Sequence, residues 1–97
     1  MEINNYKKQV AKACKRYDVK KLYVFGSVAR GDSNESDVDL VAEFNNLYSS
    51  GIADRYFNFI EELESIFKKR VDLIEESSIK NPIFRRVVDR EKMVVYG

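Results

Sequence analysis

Two aspartates one residue apart, Asp37 and Asp39, sit in the stretch SDVDLVAEF, and nine residues separate them from a Gly-Ser pair, Gly26-Ser27, that ends the apolar run LYVF. Strand side chains alternate, so carboxylates at i and i+2 share a face and repel each other. A third strand-borne carboxylate, Asp72, lies in RVDLIEE. Each of the three stands among apolar residues, and a carboxylate in such a setting needs a partner. No basic residue falls inside these strands. A hard divalent cation such as magnesium would satisfy all three carboxylates, with water and phosphate oxygens completing its octahedron.

Gly26-Ser27 supplies the complementary half. A glycine at a strand end lets a phosphate approach the backbone closely. A helical turn opening at Ser27 would present free N–H groups and a partial positive charge, and the hydroxyl would donate one more bond. One end of the site is therefore shaped for phosphate and the other for metal. That combination describes transfer of a phosphoryl or nucleotidyl group, in which two metal ions clamp the attacking and leaving oxygens without a histidine base. A Gly-Ser alone marks only a turn, and a lone D-x-D often ends an exposed strand. It is the set, in this order and with Asp72, that carries the reading.

The chain has no histidine and one cysteine, Cys14. Cys/His zinc sites, Ser-His and Cys-His pairs and intrachain disulfides are thereby excluded.

Several elements must position these groups. Ile3, Tyr6, Val10, Ala13, Cys14 and Tyr17 recur at helical intervals, predicting an amphipathic helix over 3–17 with Cys14 in its buried stripe. KKLYVFG reads as a strand buried on both faces. GDSNES is a loop, and SDVDLVAEF a second strand with Val38, Leu40 and Ala42 on one face and Asp37, Asp39, Val41 and Glu43 on the other. A second helix carries Ile52, Tyr56, Phe59, Ile60, Leu63 and Phe67 as its stripe. KRVDLIEE is a third strand. Asn81 caps a final helix with Pro82 in its first turn and a stripe of Ile83, Phe84, Val87 and Val88. MVVYG adds a last short strand. The order α-β-β-α-β-α-β predicts an α/β (α+β) fold with a small mixed β-sheet flanked by helices.

At 97 residues the chain is expected to form one domain spanning 1–97. Its 17 Lys and Arg against 16 Asp and Glu leave a net charge of +1, which gives no strong nucleic-acid or membrane signal. The basic clusters Lys68-Lys69-Arg70 and Arg85-Arg86 read as solvated surface rather than RNA or phosphate contacts, and Glu61, Glu62 and Glu64 as a wet helix face. Tyr48, Tyr56 and Phe57 are candidates to stack an adenine, although Tyr56 falls on a stripe that is usually core. No stretch approaches the roughly 20 apolar residues of a membrane helix. The start of the chain lacks an apolar signal core, so the expected location is the cytoplasm.

The pattern Gly26-Ser27-x(9)-Asp37-x-Asp39 resembles the signature of the polymerase-beta-type nucleotidyltransferases. More narrowly, FGSVARGDSNESDVDLVAEF, RVDLIEE and NPIFRRVVDREKMVVYG are similar to the minimal nucleotidyltransferase (MNT) family, the kanamycin-nucleotidyltransferase-like small proteins of prokaryotes. The loop before the first aspartate often holds ten residues in that family and holds nine here. The resemblance implies a single nucleotidyltransferase domain in which Asp37, Asp39 and Asp72 are catalytic and bind metal, two Mg2+ ions in all. It makes Asp72 the base for the incoming hydroxyl and gives Gly26 and Ser27 to the triphosphate of ATP or another NTP. Arg30 matches an arginine of the motif, either as a phosphate contact or as a loop anchor through Asp32 or Glu35. Larger relatives carry a further domain for the acceptor, so here the acceptor surface is expected from another chain, in a homodimer or hetero-oligomer. The family's usual partner is a small helical HEPN protein, often a toxin, to which the MNT protein is antitoxin, in some cases by transferring AMP to a tyrosine. The alternative is a non-catalytic nucleotide-binding module that neutralises or regulates a helical partner by complex formation. Transfer to a small molecule such as an aminoglycoside is a third, less favoured reading.

Overall fold

Residues Leu22–Phe25 become the centre of the sheet. The computed structural model, which describes residues 1–31 and 37–97, places them in β1 (Val19–Phe25). The other strands are β2 (Val38–Phe44), β3 (Val71–Glu75) and β4 (Met93–Tyr96), and the sheet order is β3-β2-β1-β4. β1 is antiparallel to β2 and β4, while β2 and β3 run parallel. A parallel pair needs a crossover, and α3 (Ile52–Phe67) supplies it. The remaining helices are α1 (Lys7–Arg16), the single turn α2 (Gly26–Ala29) and α4 (Pro82–Glu91). The expected mixed sheet flanked by helices is thus what the chain forms.

Alternation along β1 and β2 splits the apolar residues between two faces. Leu22, Val24, Val38, Leu40 and Ala42 face the main core, where Val10, Ala13 and Cys14 of α1 and Phe59, Leu63 and Phe67 of α3 cover them. Phe25 and Val41 face the other way and form a smaller cluster with Val88 of α4, flanked by Tyr23, Ile74, Ile79 and Phe84. Val41 therefore shares a face with Asp39 and is nonetheless buried, because α4 lies over it. Among the described residues, no helix is long and apolar enough to cross a membrane.

Three details differ from the periodicity. The first helix is split: one 3-10 turn covers Ile3–Tyr6 before α1 begins. Ile83 is 70% exposed rather than part of the α4 stripe. Phe84 and Val88 form the i,i+4 row that meets the sheet, and Ile83 lies about 100° away round the helix. Glu62 and Glu64 are not simply wet: Glu62 pairs with Arg16, and Glu64 accepts from the Val71 N–H at 3.0 Å.

Cys14 is core, as its place on the α1 stripe implied. Its side chain is fully buried, and burial pushes its thiol pKa up to about 12. Only the thiolate is nucleophilic. Cys14 is therefore expected to resist iodoacetamide in the folded protein at pH 8 and to be alkylated fully once urea unfolds the chain, as read by intact mass.

Arg55, on the first turns of α3, holds two loops together. Its guanidinium donates to the carbonyls of Tyr17, Asp18, Asn45 and Asn46 at 2.9, 3.2, 2.9 and 3.0 Å, and it lies over the Phe44 ring at 5.3 Å. A lysine ammonium is a point donor and cannot span both pairs. Arg55→Lys is expected to cost about 1–2 kcal/mol in urea unfolding, with the folded-state circular dichroism unchanged.

Candidate active site

The site forms where β1 ends beside the start of β2. Phe25 is the register partner of Asp39, so the residue that follows it, Gly26, turns directly against the aspartate. Gly26 has φ +72°, in the left-handed region that favours glycine. A Cβ built on it would stand 2.6 Å from Asp39 Oδ2. Only glycine lets the backbone pass this close to the carboxylate.

The expected helical turn is present as α2, closed by the Arg30 N–H on the Gly26 carbonyl at 3.1 Å. Within it Ser27 Oγ is buried, and no hydrogen-bond partner is described for it. Buried hydroxyls are rarely left so. An oxygen-rich ligand at this turn would satisfy it.

The carboxylates are brought together by register. Asp39 on β2 is the partner of Asp72 on β3, and paired residues on neighbouring strands point to the same face. Asp72 is exposed and Asp39 half-buried. Asp37 immediately precedes β2, whose first residue is tied to β3 by Val38 N–H donating to the Arg70 carbonyl at 2.9 Å. Desolvation raises the Asp39 pKa above its usual range. The negative charges of Asp72 and Asp37 raise it further, and Arg30 opposes them. The charges of Asp37 and Asp72 thus both reach Asp39.

Among the described residues, no three His, Cys, Asp or Glu side chains close on one point as an assembled ion site would. Asp39 and Asp72 form a pair, with Asp37 beside it at the mouth of β2. The donor set still fits a hard divalent cation. It consists of carboxylate oxygens, their mutual repulsion raises the proton affinity of Asp39, and an orphaned hydroxyl stands at the adjoining turn. A cation held by Asp37, Asp39 and Asp72 would relieve that repulsion.

Arg30 caps α2, its charge reaches Asp39, and it pairs with Glu91 at 3.2 Å. The alternative anchors Asp32 and Glu35 lie outside the described residues. Glu91 was not foreseen, since it lies 61 positions along the chain from Arg30 and no local pattern links them.

Of the aromatic candidates, Tyr48 is 95% exposed and Phe57 61% exposed. Tyr56 packs edge-on to Phe57 and tilted on Phe44, and its hydroxyl donates to the Leu73 carbonyl. Burial, then the charge of Asp72, raise its phenol pKa. The surface reading of the basic clusters fits Arg85, which pairs with Glu76 at 2.6 Å and with Asp89 at 3.7 Å.

Comparison with known proteins places the chain among relatives of one kind. The family model described as "Nucleotidyltransferase domain" matches residues 7–96. The protein adenylyltransferase MntA of Thermococcus cleftensis is 37% identical over 82 residues, covering 84% of this chain and 77% of its own. A solved structure provisionally described as a minimal nucleotidyltransferase is 30% identical, with a TM-score of 0.76 over 96% of this chain and 95% of that one. An MNT antitoxin structure, in complex with a tri-AMPylated HEPN toxin of Shewanella oneidensis, shares the fold at a TM-score of 0.69 and 15% identity, covering 98% of this chain and 72% of that one. The Gly-Ser turn, the in-register Asp39–Asp72 pair and the match across nearly the whole chain have one explanation: the chain belongs to the nucleotidyltransferase domain family, as a minimal nucleotidyltransferase.

Proposed function

We propose that this chain, acting as a single domain over residues 1–97, transfers AMP from ATP to a hydroxyl of a partner protein, and that the partner is a HEPN-type toxin which the transfer neutralises. The observation that carries the reading is the in-register Asp39–Asp72 pair set against the Gly26 turn. The names of the relatives support it further. One is a protein adenylyltransferase, and a structural neighbour is an MNT antitoxin bound to an AMP-carrying HEPN toxin.

In the chemical step the partner's hydroxyl oxygen bonds to the α-phosphorus of ATP. The bond from that phosphorus to the bridging oxygen breaks, and pyrophosphate leaves. Asp72, the most open of the carboxylates, takes the hydroxyl proton. Gly26 and Ser27 hold the triphosphate, the first by close approach and the second through its orphaned hydroxyl. Arg30 adds positive charge at the same end. Magnesium, when bound by Asp37, Asp39 and Asp72, supplies charge neutralisation at the phosphates and at the attacking and leaving oxygens. The reaction would take place in the cytoplasm, in a hetero-oligomer or between copies of the chain.

The test is to co-express the chain with the protein encoded by the adjacent gene, the candidate partner. Wild type should rescue growth, and the partner should gain mass corresponding to whole AMP groups. A double Asp37→Asn/Asp39→Asn variant should do neither. If that variant still rescues growth and binds the partner, the chain neutralises by occupying a surface and the transfer reading fails.

A further inference from the structure

Among the described residues β3 is an edge strand, paired only with β2, and it carries Asp72. In a parallel ladder the backbone groups of alternate residues point to one neighbour and those of the residues between point outward. Val38 N–H donates to the Arg70 carbonyl, so residues 70, 72 and 74 face β2. The groups of Val71 and Leu73 face away from the sheet, where an edge strand normally has only water.

Here they have protein partners. Val71 N–H donates to Glu64 Oε2 at 3.0 Å, and the Leu73 carbonyl accepts from the Tyr56 hydroxyl. Both partners come from α3, eight positions apart, hence about 80° apart round the helix and about 12 Å apart along it. They grip β3 on either side of Asp72. One supplies an acceptor and the other a donor, as a neighbouring strand would.

We infer that Tyr56 and Glu64 are positioning residues: through the outer edge of β3 they fix the backbone from which Asp72 meets the hydroxyl of the acceptor. The inference rests on the transfer reading of the site. Neither side chain touches substrate in this account. A small displacement of a reacting group costs rate far more than binding, because the rate depends on near-attack geometry.

The experiment compares Tyr56→Phe, Glu64→Ala and Glu64→Gln in AMP transfer to the partner, at a temperature where circular dichroism shows every variant folded. Tyr56→Phe and Glu64→Ala should lower kcat about tenfold or more while the KM for ATP stays within about twofold. Glu64→Gln keeps an acceptor oxygen and should stay close to wild type. In nucleotide-free protein, exchange of the Val71 amide should speed up in Glu64→Ala and not in Glu64→Gln. A Tyr56→Phe variant with wild-type kcat overturns the inference, as does a Glu64→Gln variant as impaired as Glu64→Ala. Those failures are distinct from failure of the transfer reading, which shows as no transfer by the wild type itself.

Discussion

Asp39→Asn is expected to lower AMP transfer by more than about 100-fold and, in the absence of divalent cation, to melt at a higher temperature than the wild type. The two effects have one cause. Asp39 is half-buried on a strand, opposite Asp72 and two residues from Asp37. Desolvation and those charges raise its folded pKa. A carboxyl whose folded pKa lies above its unfolded pKa costs stability when ionised. The wild type therefore gains stability as pH falls through the raised value, and the neutral asparagine has that gain already at pH 7. Magnesium should reverse the order, because an ion bound only by the folded wild type adds stability by mass action. Melting curves with and without magnesium read the stability effect, and partner mass reads the activity. An asparagine variant that melts below the wild type in metal-free buffer contradicts the electrostatic account.

Gly26→Ala is expected to lower transfer by about 100-fold or more and to cost about 1–3 kcal/mol of stability. The stability cost has two parts. An alanine at φ +72° is strained whatever surrounds it. Its Cβ would also stand 2.6 Å from Asp39 Oδ2 and 3.4 Å from Asp39 Cγ. Strand pairing fixes the backbone of Asp39, so its carboxylate must rotate away from the direction it shares with Asp72. A double-mutant cycle separates the parts. In an Asp39→Ala background the two closest contacts disappear, and Gly26→Ala should then cost only its backbone strain. Equal stability costs in the two backgrounds would show that the contact with the carboxylate does not matter.

The candidate site was legible because it is written in short-range pattern. The strand period places Asp37 and Asp39 on one face, and an apolar run that stops at Gly26-Ser27 announces a tight turn. That Asp39 and Asp72 meet in register followed only loosely, since it depends on how β3 docks. The α1 and α3 stripes identified Cys14, Phe59, Leu63 and Phe67 as core because helical period and burial agree there. Ile83 misled because a four-residue apolar cluster on a short helix is wider than the face the sheet can cover.

Interactions made between elements, set by how those elements dock, carried no local signal. Arg55 carried no sequence signal of its own, yet it holds four backbone carbonyls from two turns. Glu64 looked like part of an acidic helix face, and only the docking of α3 beside an unpaired strand edge gives it the Val71 N–H. The partner of Arg30, Glu91, arrives from the far end of the chain.

The central claim, nucleotidyl transfer to a protein, is tested most directly by the fate of two labels. The chain, the proposed HEPN partner and magnesium are incubated with ATP labelled either at the α- or at the γ-phosphate, and the protein is then washed free of nucleotide. Attack at the α-phosphorus with loss of pyrophosphate predicts that the α-label stays on the partner and the γ-label does not. Retention of the γ-label would mean phosphoryl transfer instead, and retention of neither would leave the aspartate face without the activity assigned to it.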